Sequence, residues 1–179
     1  MSDVSIAIVP KVSRYPNPKQ KAREILEWLI QSNIISAKTS GCTLGGEGYA
    51  VRPGAAAVVV DPFYLPVDLS INGIAIVTER QVFHAGSLGM GSVTCPVCNE
   101  DIAKGDLNFV DKWTEGESDN VVCSNCDHTA DINQFHFAIP WGFSDLGFVC
   151  WNWPELTPAF VEEFSKRLAC EVNIIYSKI

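Results

Sequence analysis

Four cysteines hold the densest chemistry in the chain: Cys95 and Cys98 in "CPVC", and Cys123 and Cys126 in "CSNC", with 24 residues between the pairs. A C-x-x-C turn brings both of its sulfurs to one ion, and two such turns complete the four soft donors of a tetrahedron. A site of this kind is closed, with no position left for water or substrate, so it serves folding rather than hydrolysis. Redox work asks instead for one exposed, low-pKa pair beside a helix N-terminus. Disulfides belong mainly to oxidising compartments. Two pairs bracketing a polar spacer suit a metal better than either. Zinc leads and mononuclear iron follows, because four thiolates accommodate both. The residues after each second cysteine, Asn99 and Asp127, are types that tolerate the positive φ of a metal knuckle.

On those residues the segment resembles a zinc ribbon, with "CPVCN" and "CSNCDH" as its two knuckles. The resemblance covers about a quarter of the chain. It implies a structural Zn2+ held by Cys95, Cys98, Cys123 and Cys126. The spacer is then expected to form ribbon strands, "LNFVDKW" pairing with "NVVCS" across "TEGESDN". His128 and His136 are alternative ligands, but with four thiols at hand they are expected to be ordinary surface or core residues. Cys42, Cys150 and Cys170 sit in or beside apolar segments and read as small buried side chains. No motif marks a nucleophile among them, and only Cys42, amid glycines, stays open as one.

A second constellation is aromatic: Trp141, Trp151 and Trp153. Strand alternation places Trp151 and Trp153 on one face. Exposed, that face would anchor a partner; beneath a helix it would be core. The same rings could stack on unpaired bases, but no Lys or Arg occurs from Ala130 to Leu156. The glycine clusters "GGEG" and "GSLGMG" lack the order of a phosphate loop, and no serine elbow or H-E-x-x-H appears. Catalysis is therefore not indicated. A pocket for it would lie near Cys42–Glu47 at the sheet edge or beneath Trp151.

These groups must be positioned by a small set of elements. "VSIAIVP" reads as a strand, and Asn17-Pro18 as an N-cap followed by proline at the first helical position. Ala22, Ile25, Leu26, Leu29 and Ile30 continue as one apolar helical stripe. Ala55–Val60 reads as a buried strand, and Asn72-Gly73 as a two-residue hairpin turn. Thr157-Pro158 starts a second helix with Phe160, Val161, Phe164 and Leu168 on one face, and "VNIIYSKI" closes as a strand. Strand, helix and strand at both ends predict an α+β sandwich of mixed β-sheet with two main helices in ferredoxin-like βαβ halves. Residues 1–85 and 137–179 would form this body, and residues 86–136 the inserted zinc ribbon.

Composition narrows the partners. Hydrophobic residues make up 47% and charged residues 19%, with a net charge of −8. An acidic chain is at a disadvantage on phosphate backbones, so nucleic acid is disfavoured. No apolar run approaches the ~18 residues of a membrane span, and no basic leader precedes an apolar core, so a cytoplasmic protein is expected. The function expected is that of a zinc-binding interaction module, an adaptor, inhibitor or immunity-type protein. Its partner would be another protein or a second copy of itself. Nucleic-acid binding through the ribbon and an enzyme with a sheet-edge pocket are the alternatives.

Overall fold

The computed structural model describes residues 2–179. Its frame is a six-stranded sheet: β1 (Val4–Pro10), β2 (Ile35–Thr43), β3 (Gly46–Val51), β4 (Ile74–Val77), β11 (Gly147–Trp151) and β12 (Val172–Lys178), in spatial order β12-β1-β11-β4-β3-β2. Every neighbouring pair runs antiparallel, where a mixed sheet was expected. The reason is that both helical crossovers skip strands. Helix α3 (Pro158–Leu168) links β11 to β12, which run parallel to each other only across the intervening β1. Helix α1 (Pro18–Gln31) links β1 to β2 across the sheet's width. The class is α+β, and the ferredoxin-like halves are not established by this six-strand order.

Both predicted helices form, for the reasons their sequences suggest. In α1 the stripe buries Ala22, Ile25 and Leu29. Asn17 takes the cap position but not in the way expected. It lies at φ 53 and its side chain caps nothing, while its carbonyl accepts from Gln20 and Lys21. Asn is one of the few side chains that occupies that left-handed region cheaply. In α3 the Thr157 hydroxyl accepts from the Phe160 amide, and Phe160, Phe164 and Leu168 are buried. Outside, Glu162–Lys166 and Glu163–Arg167 pair one turn apart. Both helices cover one sheet face, against Ile6, Ile8, Ile74, Phe148 and Cys150. Full burial of such a side chain contributes about 1.5–3 kcal/mol.

Two local expectations are overturned. Ala55–Val60 is not a strand. Pro53–Ala57 forms a 3-10 turn, Ala55 and Val59 point inward, and Val60 is exposed. The proline and the small alanines favour a tight turn, and only Val59 meets an extended neighbour, in an isolated antiparallel bridge to Leu156. Asn72-Gly73 is not a hairpin turn either. Both amides donate to the Cys42 carbonyl, and a Cβ on Gly73 would lie 2.2 Å from Cys42 Sγ. That glycine is required by close approach between neighbouring backbones, not by turn chemistry.

The opposite sheet face carries Ala7, Val9, Val149 and Ile175, partly covered by Phe83. Phe83 belongs to β5 (Gln81–Phe83), which pairs with β10 (Gly142–Ser144). The chain thus departs and returns through neighbouring strands. Between them lies a second core containing Val93, Trp113, Val121, Ile132, Phe135 and Phe143.

Candidate metal centre

The first knuckle follows β6 (Val93–Thr94), which pairs with β9 (His136–Phe137). The second lies between β7 (Asn120–Val122) and β8 (Thr129–Asp131), a paired ribbon. The two knuckles are built alike. Asn99 N–H donates to the Cys95 carbonyl and Asp127 N–H to the Cys123 carbonyl, each at 3.0 Å. Cys95 N–H donates to Glu100 O at 2.9 Å, and Cys123 N–H to His128 O at 2.8 Å. Asn99 and Asp127 both sit at φ 59, the left-handed backbone expected of them.

This repeated turn brings all four sulfurs within 4.8 Å of one another. Cys95–Cys126 and Cys98–Cys123 are separated by 3.8 Å and 3.6 Å, and all seven cysteines are free thiols. A tetrahedron with metal–sulfur bonds of about 2.3 Å has sulfur–sulfur edges of about 3.8 Å, the separation of these two pairs, so the cluster is of the size one ion needs. Neither His128 nor His136 belongs to the cluster. Cys95 and Cys123 are buried, Cys98 is half-buried and Cys126 is exposed, so one corner faces solvent.

Local hydrogen bonds prepare the thiols. The Asn125 side chain and the Glu100 amide hold the Cys98 thiol down at about 6. Cys126 receives a hydrogen bond from the His128 amide, which lowers it. Local desolvation by the cluster and the neighbouring sulfurs of Cys98, Cys123 and Cys95 outweigh that and push it up to about 12. Cys98 and Cys126 therefore do not ionise at the same pH on their own. A divalent cation bound among the four sulfurs would supply the positive charge that favours their thiolate forms.

The spacer differs from the ribbon expected. "LNFVDKW" does not pair with "NVVCS": Asn108–Thr114 is a helix, α2, and β7 pairs with β8 instead. Phe109, Val110 and Trp113 recur at helical spacing, and the helix seats Trp113, 1% exposed, in the second core. There Trp113 Nε1 donates to Ser13 Oγ at 2.9 Å, and Phe143 meets its ring edge-on. The Arg80 guanidinium lies 3.7 Å above the same ring. Arg80 also reaches Asp119 at 2.6 Å, and Arg14 reaches the other Asp119 oxygen at 2.6 Å. Burial raises the Asp119 carboxyl, but the two guanidiniums outweigh it and hold it below its ordinary range. Asp119 clamps the segment that carries the four cysteines to the loops that follow β1 and β4. Sequence reading missed it because a lone Asp in "GESDN" carries no pattern.

The tryptophans are not brought together. Trp153 is buried beneath the helices, its Nε1 donating to the Asn72 carbonyl at 2.8 Å. Trp151 is on the opposite face. The same-face expectation fails because Asn152 lies at φ 59, which interrupts strand alternation between them. Trp141, half-buried, packs on the second core and tilts against His84. Cys42 and Cys150 are buried as expected, and burial pushes the Cys150 thiol up to about 12. No family model, curated protein or solved structure matches the chain. No helix among the described residues is long and apolar enough to cross a membrane.

Proposed function

We propose that this chain is a cytoplasmic protein-binding module of the adaptor, inhibitor or immunity type. Residues 86–136 are its inserted subdomain, and a structural zinc ion is held there by Cys95, Cys98, Cys123 and Cys126. The observation that carries the binding role is one rigid, apolar loop. Val60, Phe63, Tyr64, Val67 and Leu69 are exposed, Phe63 by 86% and Tyr64 by 66%. Contiguous apolar patches of this kind on a soluble surface mark interaction sites.

The loop is preorganised. Asp61 caps the Phe63 amide, the two rings meet edge-on at 5.3 Å, and the Tyr64, Leu65 and Leu69 amides are bonded within the loop. Little ordering entropy therefore remains to be lost on docking. Asp61 and Asp68 flank the rings, and no Lys or Arg lies between Val60 and Thr78. The partner surface this fits is an apolar cleft with a basic rim. Six of the 13 basic residues are engaged in ion pairs, which weighs against nucleic acid.

An aromatic anchor at an interface is worth about 2 kcal/mol, roughly 30-fold in affinity. The test compares wild type with the Phe63→Ser/Tyr64→Ser variant by quantitative affinity purification from native lysate and by sedimentation. Proteins retained by wild type are expected to be lost with the variant at unchanged thermal stability. Equal retention by both overturns the assignment, and sedimentation separates a heterologous partner from a second copy.

A further inference from the structure

The sheet face opposite the helices leaves a hollow of about 260 Å³ beside β5. Its floor exists because small side chains stand where the other face carries Ile and Phe. The register sets Ser177, Ser5 and Trp151 in one row across three strands, and Ile175, Ala7, Val149 and Ala75 in the next. Ser5, Ala7 and Ala75 leave the depression, and Trp151 and Ile175 wall it. Phe83 forms another wall and is fixed there. Its ring lies against Gly147, where a Cβ would come within 2.3 Å of Phe83 Cζ. The hollow is thus a product of packing among regular strands.

Two features say what would fill it. In a chain of net charge −8, no Asp, Glu, Lys or Arg lines the hollow; its polar groups are Ser5, Ser177, Gln81, His84 and the Trp151 indole. Trp151 Nε1 is also buried without a hydrogen-bond partner, whereas Trp113, Trp141 and Trp153 all donate to protein oxygens. A buried orphan donor costs about 1–3 kcal/mol unless an acceptor arrives. We infer that the hollow is a binding site for a small, uncharged, largely apolar molecule carrying a carbonyl-type oxygen, which accepts from Trp151 Nε1 once the side chains that seal that atom from solvent shift on entry. Its volume lies just below the ~300 Å³ at which drug-sized pockets begin, so the ligand is correspondingly small. The site lies outside both the metal centre and the Phe63 loop, and does not depend on the role assigned to either.

The experiment uses the full-length, metal-loaded chain with two neutral carbonyl probes, acetophenone and the fluorescent naphthalene ketone Prodan. Prodan is expected to bind one-to-one with a blue shift that acetophenone reverses. Ala75→Leu, which fills the floor, is expected to weaken Prodan by about tenfold or more, and Trp151→Phe by about fivefold, one neutral hydrogen bond. Acetophenone titrated into 15N-labelled wild type is expected to move the Trp151 indole N–H resonance and leave Trp113 and Trp153 in place. That measurement stands even if a variant fails to fold. Absence of saturable Prodan binding, an unmoved Trp151 resonance, or undiminished binding by a folded Ala75→Leu protein would each overturn the assignment.

Discussion

Removing the Asp119 carboxylate by Asp119→Ala isolates what joins the four-cysteine segment to the sheet. The two guanidiniums on it are not equivalent. The Arg80 side chain is 19% exposed and Arg14 is 68% exposed. A hydrogen bond to a charged group in a mostly dry setting contributes about 1.5–3 kcal/mol. The Arg14 contact lies largely in water, where screening leaves it little to contribute. Asp119→Ala should therefore cost about 2–3 kcal/mol, and Arg14→Ala distinctly less than Arg80→Ala. In a domain of this size the larger loss corresponds to a Tm drop of about 4–12 °C. Thermal and urea unfolding of wild type, both single variants and Arg80→Ala give the comparison, and an Asp119→Ala/Arg80→Ala double mutant isolates the coupling. The pH dependence carries a sign. The folded carboxyl is held below its unfolded value, so its contribution is fully present above about pH 4 and fades as the pH falls through the folded pKa. The difference between wild type and Asp119→Ala should close in acid. An Arg14→Ala cost equal to that of Arg80→Ala, or a gap between wild type and Asp119→Ala that widens in acid, would refute the reasoning.

Elemental analysis of untagged protein should find one metal ion per chain, retained in His128→Ala and lost in Cys98→Ser. Chelation should abolish the near-ultraviolet signal of Trp113 while the α1 and α3 helical signal persists; simultaneous loss of both would show that the two cores are not separable. Thr157→Ala should cost about 1 kcal/mol in urea unfolding, because its hydroxyl caps α3. Asn17→Gly should stay within about 0.5 kcal/mol, because a left-handed backbone rather than a side-chain cap is what that position requires.

The sequence was informative where one residue type has few physical uses. Paired C-x-x-C turns, and the Asn and Asp that follow them, specify sulfur positions and a left-handed backbone at once. Proline-led helices with a single apolar stripe, as in α1 and α3, were equally legible. β2 was not, since Ser36, Lys38, Thr39, Ser40 and Gly41 lie on an outer strand with little to bury. Helix α2 was hidden by its polar surroundings and by the pull of the ribbon pattern. The tryptophan pair was misread because a single φ, at Asn152, decides which face Trp153 takes, and no periodicity contains that angle. Asp119 and the Phe63–Tyr64 exposure are facts of tertiary placement. A carboxylate acquires its guanidiniums, and a loop its exposure, only once distant segments have met.

β1 lies between β11 and β12, both encoded more than a hundred residues after it. During translation at about 5–20 residues per second, that strand waits roughly 7–30 s for its first neighbour, with both of its apolar faces bare. The four thiols emerge from the ribosome before that neighbour does. An ion that binds these thiols would be captured while the nascent sheet is still incomplete, which would make metal supply a factor in folding yield as well as in the strength of the finished protein.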